Sequence, residues 1–271
     1  MIKFARTLSV LLLLSLLILP PVSPGNAQSE QDGLSMTVQA GFEGYYKVNT
    51  WLPVTIRLEN QGANIEGVLE ISLDDYIQPD VVYRYPIELP TTSRKEINLT
   101  VYPEVNARAV QVKLLSGKQV LGRAEAGLIY QDVGNPLFGV LSSSASSFSL
   151  LSELDSLGEF TGSAAVAMLD SAAFPTRSQA LEALNVIVLC DVDSSGAAAL
   201  SPEQVQALQA WTARGGRLVI AGGPGWQKTT AGLESSGLLP LIPTGETILK
   251  DLQPVLAFVR QKQPSTPVLQ V

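Results

Sequence analysis

Histidine is absent from the 271 residues, and cysteine occurs once, at Cys190. Without histidine the chain holds no Ser-His-Asp or Cys-His pair and no imidazole ligand for a metal. A single thiol forms neither an intrachain disulfide nor a cysteine zinc cage. Basic residues are outnumbered, 18 against 25 acidic ones, for a formal charge of −7. Such a chain, with no basic stripe, is not built to hold nucleic acid non-specifically. Beyond Ala27 no run of 18 consecutive apolar residues occurs, so that part offers no helix long enough to span a bilayer. With 46% hydrophobic and 16% charged residues, the bulk of the chain is expected to be folded rather than disordered.

What the N-terminus does have is the pattern of an export signal. Lys3 and Arg6 supply the positive start, and Leu8 to Leu19 is a twelve-residue apolar run. Pro20, Pro21 and Pro24 break it, and Gly25-Asn26-Ala27 is a small-x-small cleavage site. Residues 1–27 are therefore predicted to be a signal peptide that sends the chain across the cytoplasmic membrane to the cell envelope. A folded chain of this size without disulfides suits a bacterial exported protein.

Residues 28–133 read as an Ig-like β-sandwich. Val54, Ile56 and Leu58 alternate with Thr55, Arg57 and Glu59 before the turn at Asn60-Gln61-Gly62. Met36 to Val38, Val68 to Leu73, Val81 to Leu89, Ile97 to Val101, Val110 to Leu115 and Val120 to Ile129 complete a series of about seven short strands, with no helical segment between them. Tyr45, Tyr46 and Trp51 are expected in the core or on the sandwich rim. Sugar stacking by these three, making this a carbohydrate-binding sandwich, is the alternative.

Residues 134–245 change texture to alternating strand and helix, which predicts an α/β domain with a mostly parallel sheet. Leu137 to Leu141, Ala164 to Leu169, Val186 to Leu189 and Leu218 to Ala221 are its strands. The apolar run Val186 to Leu189 is expected to be central and covered on both faces. Helices are expected over Phe148 to Leu157 and Arg177 to Leu184. Ser201-Pro202-Glu203-Gln204 is a capping-box start for a third, with Val205, Leu208 and Trp211 on one face and Gly215-Gly216 as its stop. Residues 246–271 are proline-rich and end on an apolar stretch, which suggests a domain cut short at its C-terminus.

In such a sheet, ligands bind at the loops after the strands. Asp191 and Asp193 follow the third strand. Two carboxylates there suit Mg²⁺ or Ca²⁺, and the segment resembles the Asp-x-Ser-x-Ser metal-adhesion motif of von Willebrand A domains, with Asp193 in place of the middle serine. Solvated loop carboxylates are the simpler reading. Gly222, Gly223 and Gly225 with Lys228-Thr229 approach a phosphate-binding loop, but Gln227 stands where its second glycine belongs. A glycine-rich turn is the simpler reading. Cys190 ends a buried run and is expected to be buried and inert. The serines from Ser142 to Ser147 lack a histidine base and a nucleophile elbow, and are expected to cap a helix or form a loop.

The stretch from Asn185 to Gly223 resembles the class I glutamine amidotransferase-like, flavodoxin-like domains of bacterial envelope proteins. Leu200, Ser201, Gln204, Leu208, Trp211, Gly215, Gly216 and Gly223 stand where that pattern places them, and Phe138 to Ser142 resembles its first strand. A preceding β-sandwich fits the same proteins. Active members carry a cysteine nucleophile and a His-Glu pair. This chain has neither at the matching turn, so the resemblance implies no catalytic residue. The expectation is a non-catalytic envelope protein that binds or scaffolds an unknown protein or envelope component, with no cofactor and no nucleic acid. Membrane association would run through an uncleaved signal or a C-terminal anchor. A metal- or ligand-dependent enzyme or sensor, using the loops after the parallel strands, is the alternative.

Overall fold

The computed structural model describes residues 29–31, 33–75, 81–143, 148, 150–152, 162–196, 199–221, 225–245, 251, 253 and 257. The expected signal peptide, nearly all of the C-terminal segment and most of the expected helix from Phe148 to Leu157 lie outside them. The described residues up to Leu239 belong to one compact unit, and those from Pro240 on to a second. In the first unit antiparallel sheets precede a parallel one.

Strand alternation builds the antiparallel part. In β2 (Leu34–Ala40) and β4 (Leu52–Asn60) every second side chain is buried, as expected of sheets with one face on a core. β1 (Ser29–Gln31) and β7 (Ser93–Val101) complete a sheet of order β1-β2-β4-β7. The second sheet runs β6-β5-β8-β9, from β5 (Ile65–Asp75), β6 (Tyr83–Leu89), β8 (Ala107–Ser116) and β9 (Gln119–Gly127). Met36, Ile56 and Val101 from the first sheet and Leu69, Ile71, Leu89 and Leu114 from the second share one buried cluster, which makes the pair a β-sandwich. Asn60, though buried, is satisfied. Its Nδ2 donates to the carbonyls of Ala63, Leu89 and Pro90, and its Oδ1 accepts from the Gly62 amide.

The expected strand from Val120 to Ile129 is in fact two. β9 stops at Gly127, and Leu128 turns its amide to the Arg108 carbonyl. β10 (Ile129–Tyr130) then leaves the sandwich sheet and pairs, in parallel, with β3 (Tyr45–Tyr46). The Tyr46 hydroxyl, deep in the core, donates to the Ala107 carbonyl (2.9 Å) and accepts from the Ala107 amide (2.7 Å). Burial pushes the Tyr46 phenol above its ordinary range, against the bond from Ala107.

The parallel sheet has the order β12-β11-β13-β14, built from β11 (Leu137–Ser142), β12 (Ala165–Met168), β13 (Val186–Cys190) and β14 (Arg217–Ile220). β13 is interior, and its central residues Ile187, Val188 and Leu189 are buried. Helix α1 (Pro202–Ala213) starts with a complete capping box. The Ser201 hydroxyl accepts from the Gln204 amide, and the Gln204 side chain accepts from the Ser201 amide. Leu208 and Trp211 on α1 join a second buried cluster with Leu137, Leu181, Ile187 and Leu189. The expected helix from Arg177 to Leu184 is instead a single 3-10 turn, Ser178–Leu181. Only eight residues separate Arg177 from the strand start at Val186, and Ala180 and Leu181 are already buried by the one turn. A short helix α2 (Trp226–Ala231) follows Gly225.

Candidate functional site

The order of the parallel strands reverses between β11 and β13. From β11 the chain goes to β12 on one side, and from β13 it goes to β14 on the other. The loops leaving the ends of these two strands therefore part over a crevice, where open α/β sheets bind ligands. Ser143 and Asp191 flank that point. The Asp191 carboxylate pairs with Lys228 Nζ of α2 at 2.7 Å. The Ser143 hydroxyl lies 2.7 Å from Asp191 Oδ2 and 3.0 Å from the Asp191 carbonyl. The hydrogen bond from Lys228, then that from Ser143, holds the carboxyl below the usual range, against its desolvation. Asp191 sits at φ 54°, a left-handed conformation that aspartate tolerates better than most residues. A Cβ at Gly225 would overlap the Asp191 carboxylate, so that glycine leaves space for the ion pair.

The other expected site residues separate from this group. Asp193 folds back on its own loop, where its Oδ1 accepts from the amide and hydroxyl of Ser195 (3.2 and 3.1 Å). Gly222 and Gly223 lie outside the described residues. Lys228, which looked like part of a phosphate loop, is engaged by Asp191, and its carbonyl accepts from the amide and hydroxyl of Ser194. Among the described residues no three carboxylate or thiol groups cluster as metal ligands would. Cys190 is half-buried rather than buried, because it is the last residue of its strand and the cover over β13 ends there.

The aromatics do not share one surface. Tyr46 is 0% exposed in the sandwich core, Trp51 packs edge-on against Tyr102 at 5.2 Å, and Tyr45 faces the α/β module. A three-ring sugar platform is thereby excluded.

A second place carries more structure than its sequence suggested. Lys47, 3% exposed, reaches from the sandwich into the α/β module. Its Nζ donates to the Asn135 carbonyl (2.7 Å) and to Asn185 Oδ1 (2.8 Å). The same Asn185 oxygen accepts from the Leu137 amide at the head of β11. Burial lowers the Lys47 pKa from 10.5 to about 8, opposed by the charge of Asp132. A groove of about 510 Å³ also lies between the sandwich and β12. Phe42, Tyr45, Thr55 and Ile129 line its sandwich side, and Val166 and Met168 of β12 line the other. Glu43 Oε2 crosses it to accept from the Met168 amide at 2.8 Å. No local pattern announced these residues, because Lys47 meets partners 88 and 138 positions away. The one sequence signal was a lysine directly after two buried-type aromatics.

Comparison with known proteins adds little to this geometry. No curated protein matches the chain. A solution structure of a CARDB domain from Pyrococcus furiosus is 11% identical, over 37% of this chain and 97% of that domain, with a TM-score of 0.29. A crystal structure of the same domain in complex with di-metal ions is 10% identical, over 41% of this chain and 100% of its own, at 0.29. The Pseudomonas fluorescens alkylpurine DNA glycosylase AlkC, bound to DNA containing an abasic site analog, is 14% identical at a TM-score of 0.28. That likeness covers 37% of this chain and 31% of the glycosylase. Residues 33–128, which contain β2 to β9, match the model of a domain of unknown function, DUF8726.

Proposed function

We propose that this chain is a non-catalytic binding or scaffolding module of the bacterial cell envelope, exported by its N-terminal leader. The observation that carries the reading is the state of the switch-point crevice. Asp191, Lys228 and Ser143 satisfy one another there, so the groups a reaction would need are spent on fixing the loop after β13. The strand order β12-β11-β13-β14 and the capping box of α1 support an amidotransferase-like, flavodoxin-like assignment for the α/β module, without the family's catalytic residues. The two facing antiparallel sheets support an Ig-like assignment for the sandwich. The partner is a protein or other envelope component, and membrane contact runs through the leader or a C-terminal anchor.

Two measurements test the reading. Cell fractionation with mass spectrometry of the N-terminus is expected to find the chain in the envelope, processed after Ala27. Amide, ester and phosphoester substrates are expected to show no turnover. Unprocessed cytosolic protein would overturn the address, and turnover lost on Asp191→Ala would overturn the non-catalytic role.

One observation favours a second reading, a ligand-dependent sensor or enzyme at the crevice. Asp191 holds a left-handed backbone at a strand end, and such conformations gather at functional sites. Under that reading Asp191, Asp193 and the Gly222 to Gly225 turn would line the pocket. A ligand that binds only the folded state raises its melting temperature, so melts with millimolar Mg²⁺, Ca²⁺ and nucleotides separate the two. A shift supports the sensor, and none supports the binding module.

A further inference from the structure

The groove between the sandwich and β12 has an open strand edge for one wall. The Ala165 amide donates to the Pro136 carbonyl (2.9 Å) and the Leu169 amide to the Val140 carbonyl (2.7 Å), so these amides face β11. Alternation along the strand then turns the amides of Val166 and Met168 outward, into the groove. Among the described residues β12 has β11 as its one strand neighbour. Glu43 Oε2 meets the Met168 amide at 2.8 Å, which puts a side-chain carboxylate where the carbonyl of an added strand would stand. The groove lining includes two carboxylates, Glu43 and Asp170, and neither lysine nor arginine.

We propose that this groove takes an extended peptide segment of a partner protein, added as a strand along β12 and carrying lysine or arginine opposite Glu43 and Asp170. The inference rests on the reading of the chain as a binding module and names the class of its partner. Strand addition draws affinity from main-chain hydrogen bonds and specificity from pockets for alternate side chains. Both elements are present, in the outward amides of β12 and in the apolar walls of Tyr45 and Ile129. β12 has four residues, about 13 Å at strand rise, and so addresses a segment of similar length. A volume of about 510 Å³ lies in the usual range for a binding pocket. Without a partner, Glu43 blunts the edge and discourages unspecific pairing. A basic peptide neutralises that carboxylate and offers a carbonyl to Met168 in exchange. A second copy of the chain would instead bring two pairs of carboxylates together, and like charges at an interface are unfavourable.

The test uses the ¹⁵N-labelled full chain and two blocked hexapeptides, Ac-Val-Lys-Val-Arg-Val-Lys-NH₂ and its analogue with glutamate at the three charged positions. The basic peptide is expected to shift the Val166 and Met168 amide resonances, to slow their hydrogen exchange, and to bind about tenfold more tightly than the acidic one. The pair Glu43→Gln and Asp170→Asn is expected to remove that preference while leaving the melting temperature in place, since the glutamine oxygen still accepts from Met168. Unshifted Val166 and Met168 at millimolar basic peptide, or equal binding of both peptides, would overturn the proposal. Protection of those amides by self-association would overturn it too. None of these failures touches the turnover and fractionation results, so the broader reading stands or falls separately.

Discussion

Lys47 puts an ammonium where an apolar residue would be cheaper, since taking a charge out of water costs several kcal/mol before pairing. Its compensation is two oxygen acceptors, and a neutral amine still has two N–H groups to serve both. The lysine therefore loses its proton at about pH 8 without losing its bonds. Between there and the ordinary value of 10.5 the unfolded chain holds a proton that the folded chain has shed. Stability is accordingly expected to rise with pH over that window, by at most about 1.4 kcal/mol per pH unit. Urea melts from pH 7.5 to 10.5 would show the rise, and Lys47→Met would flatten it. The same variant leaves the Asn135 carbonyl without its donor and Asn185 Oδ1 with the Leu137 amide alone, and should lose about 2 kcal/mol at neutral pH. At the crevice the sign is opposite. Lys228 and Ser143 hold the Asp191 carboxyl low, so their contribution is present above the ordinary aspartate range and fades on acidification through the lowered value. Lys228→Gln should return the Asp191 titration, followed by carboxyl ¹³C NMR, toward the ordinary range. An unchanged titration would mean that the pair does not persist in solution.

Helix α1 shows how one side chain serves two elements. Gln204 closes the capping box through its oxygen, while its Nε2 donates to the carbonyls of Ser171 and Phe174 (both 2.8 Å). Those carbonyls belong to the loop that continues from β12 past the groove. Ser201→Ala removes a cap and should cost about 1 kcal/mol. Gln204→Ala also strands two carbonyls, one of its bonds being fully buried, and should cost about twice as much. Equal losses in urea unfolding would show that the loop bonds contribute nothing. Gly216→Ala is expected to be more damaging than either, because a Cβ there would overlap the Trp211 ring. The Ser201 to Gln204 spacing and the alternation of β4 were legible because each rests on neighbours within a few residues. The 3-10 turn at Ser178–Leu181 and the break at Leu128 were not, because a short apolar run carries the same local pattern whether or not the tertiary surroundings let it continue.

At the scale of the molecule, both textures were readable from the amino acids, and so was the place of Asp191 just past an apolar strand, since Val186 to Leu189 is a continuous apolar run. What joins the textures was hidden. Glu43 and Met168 are 125 positions apart, and neither residue type is unusual where it stands. The ion pair of Asp191 was hidden for a similar reason, as Lys228 belongs to a later helix and looked like part of a phosphate loop.

The position of Lys47 along the chain also sets a timetable. Chains are made from the N-terminus, so residues 34 to 130 can close their shared core before Asn185, the later of the two oxygen partners of Lys47, takes its place at the head of the parallel sheet. Until then that ammonium lacks part of the cover whose burial lowers its pKa in the finished fold. The later arrival of the parallel strands dries it out. The titration of this lysine should therefore report whether the second half has docked on the first.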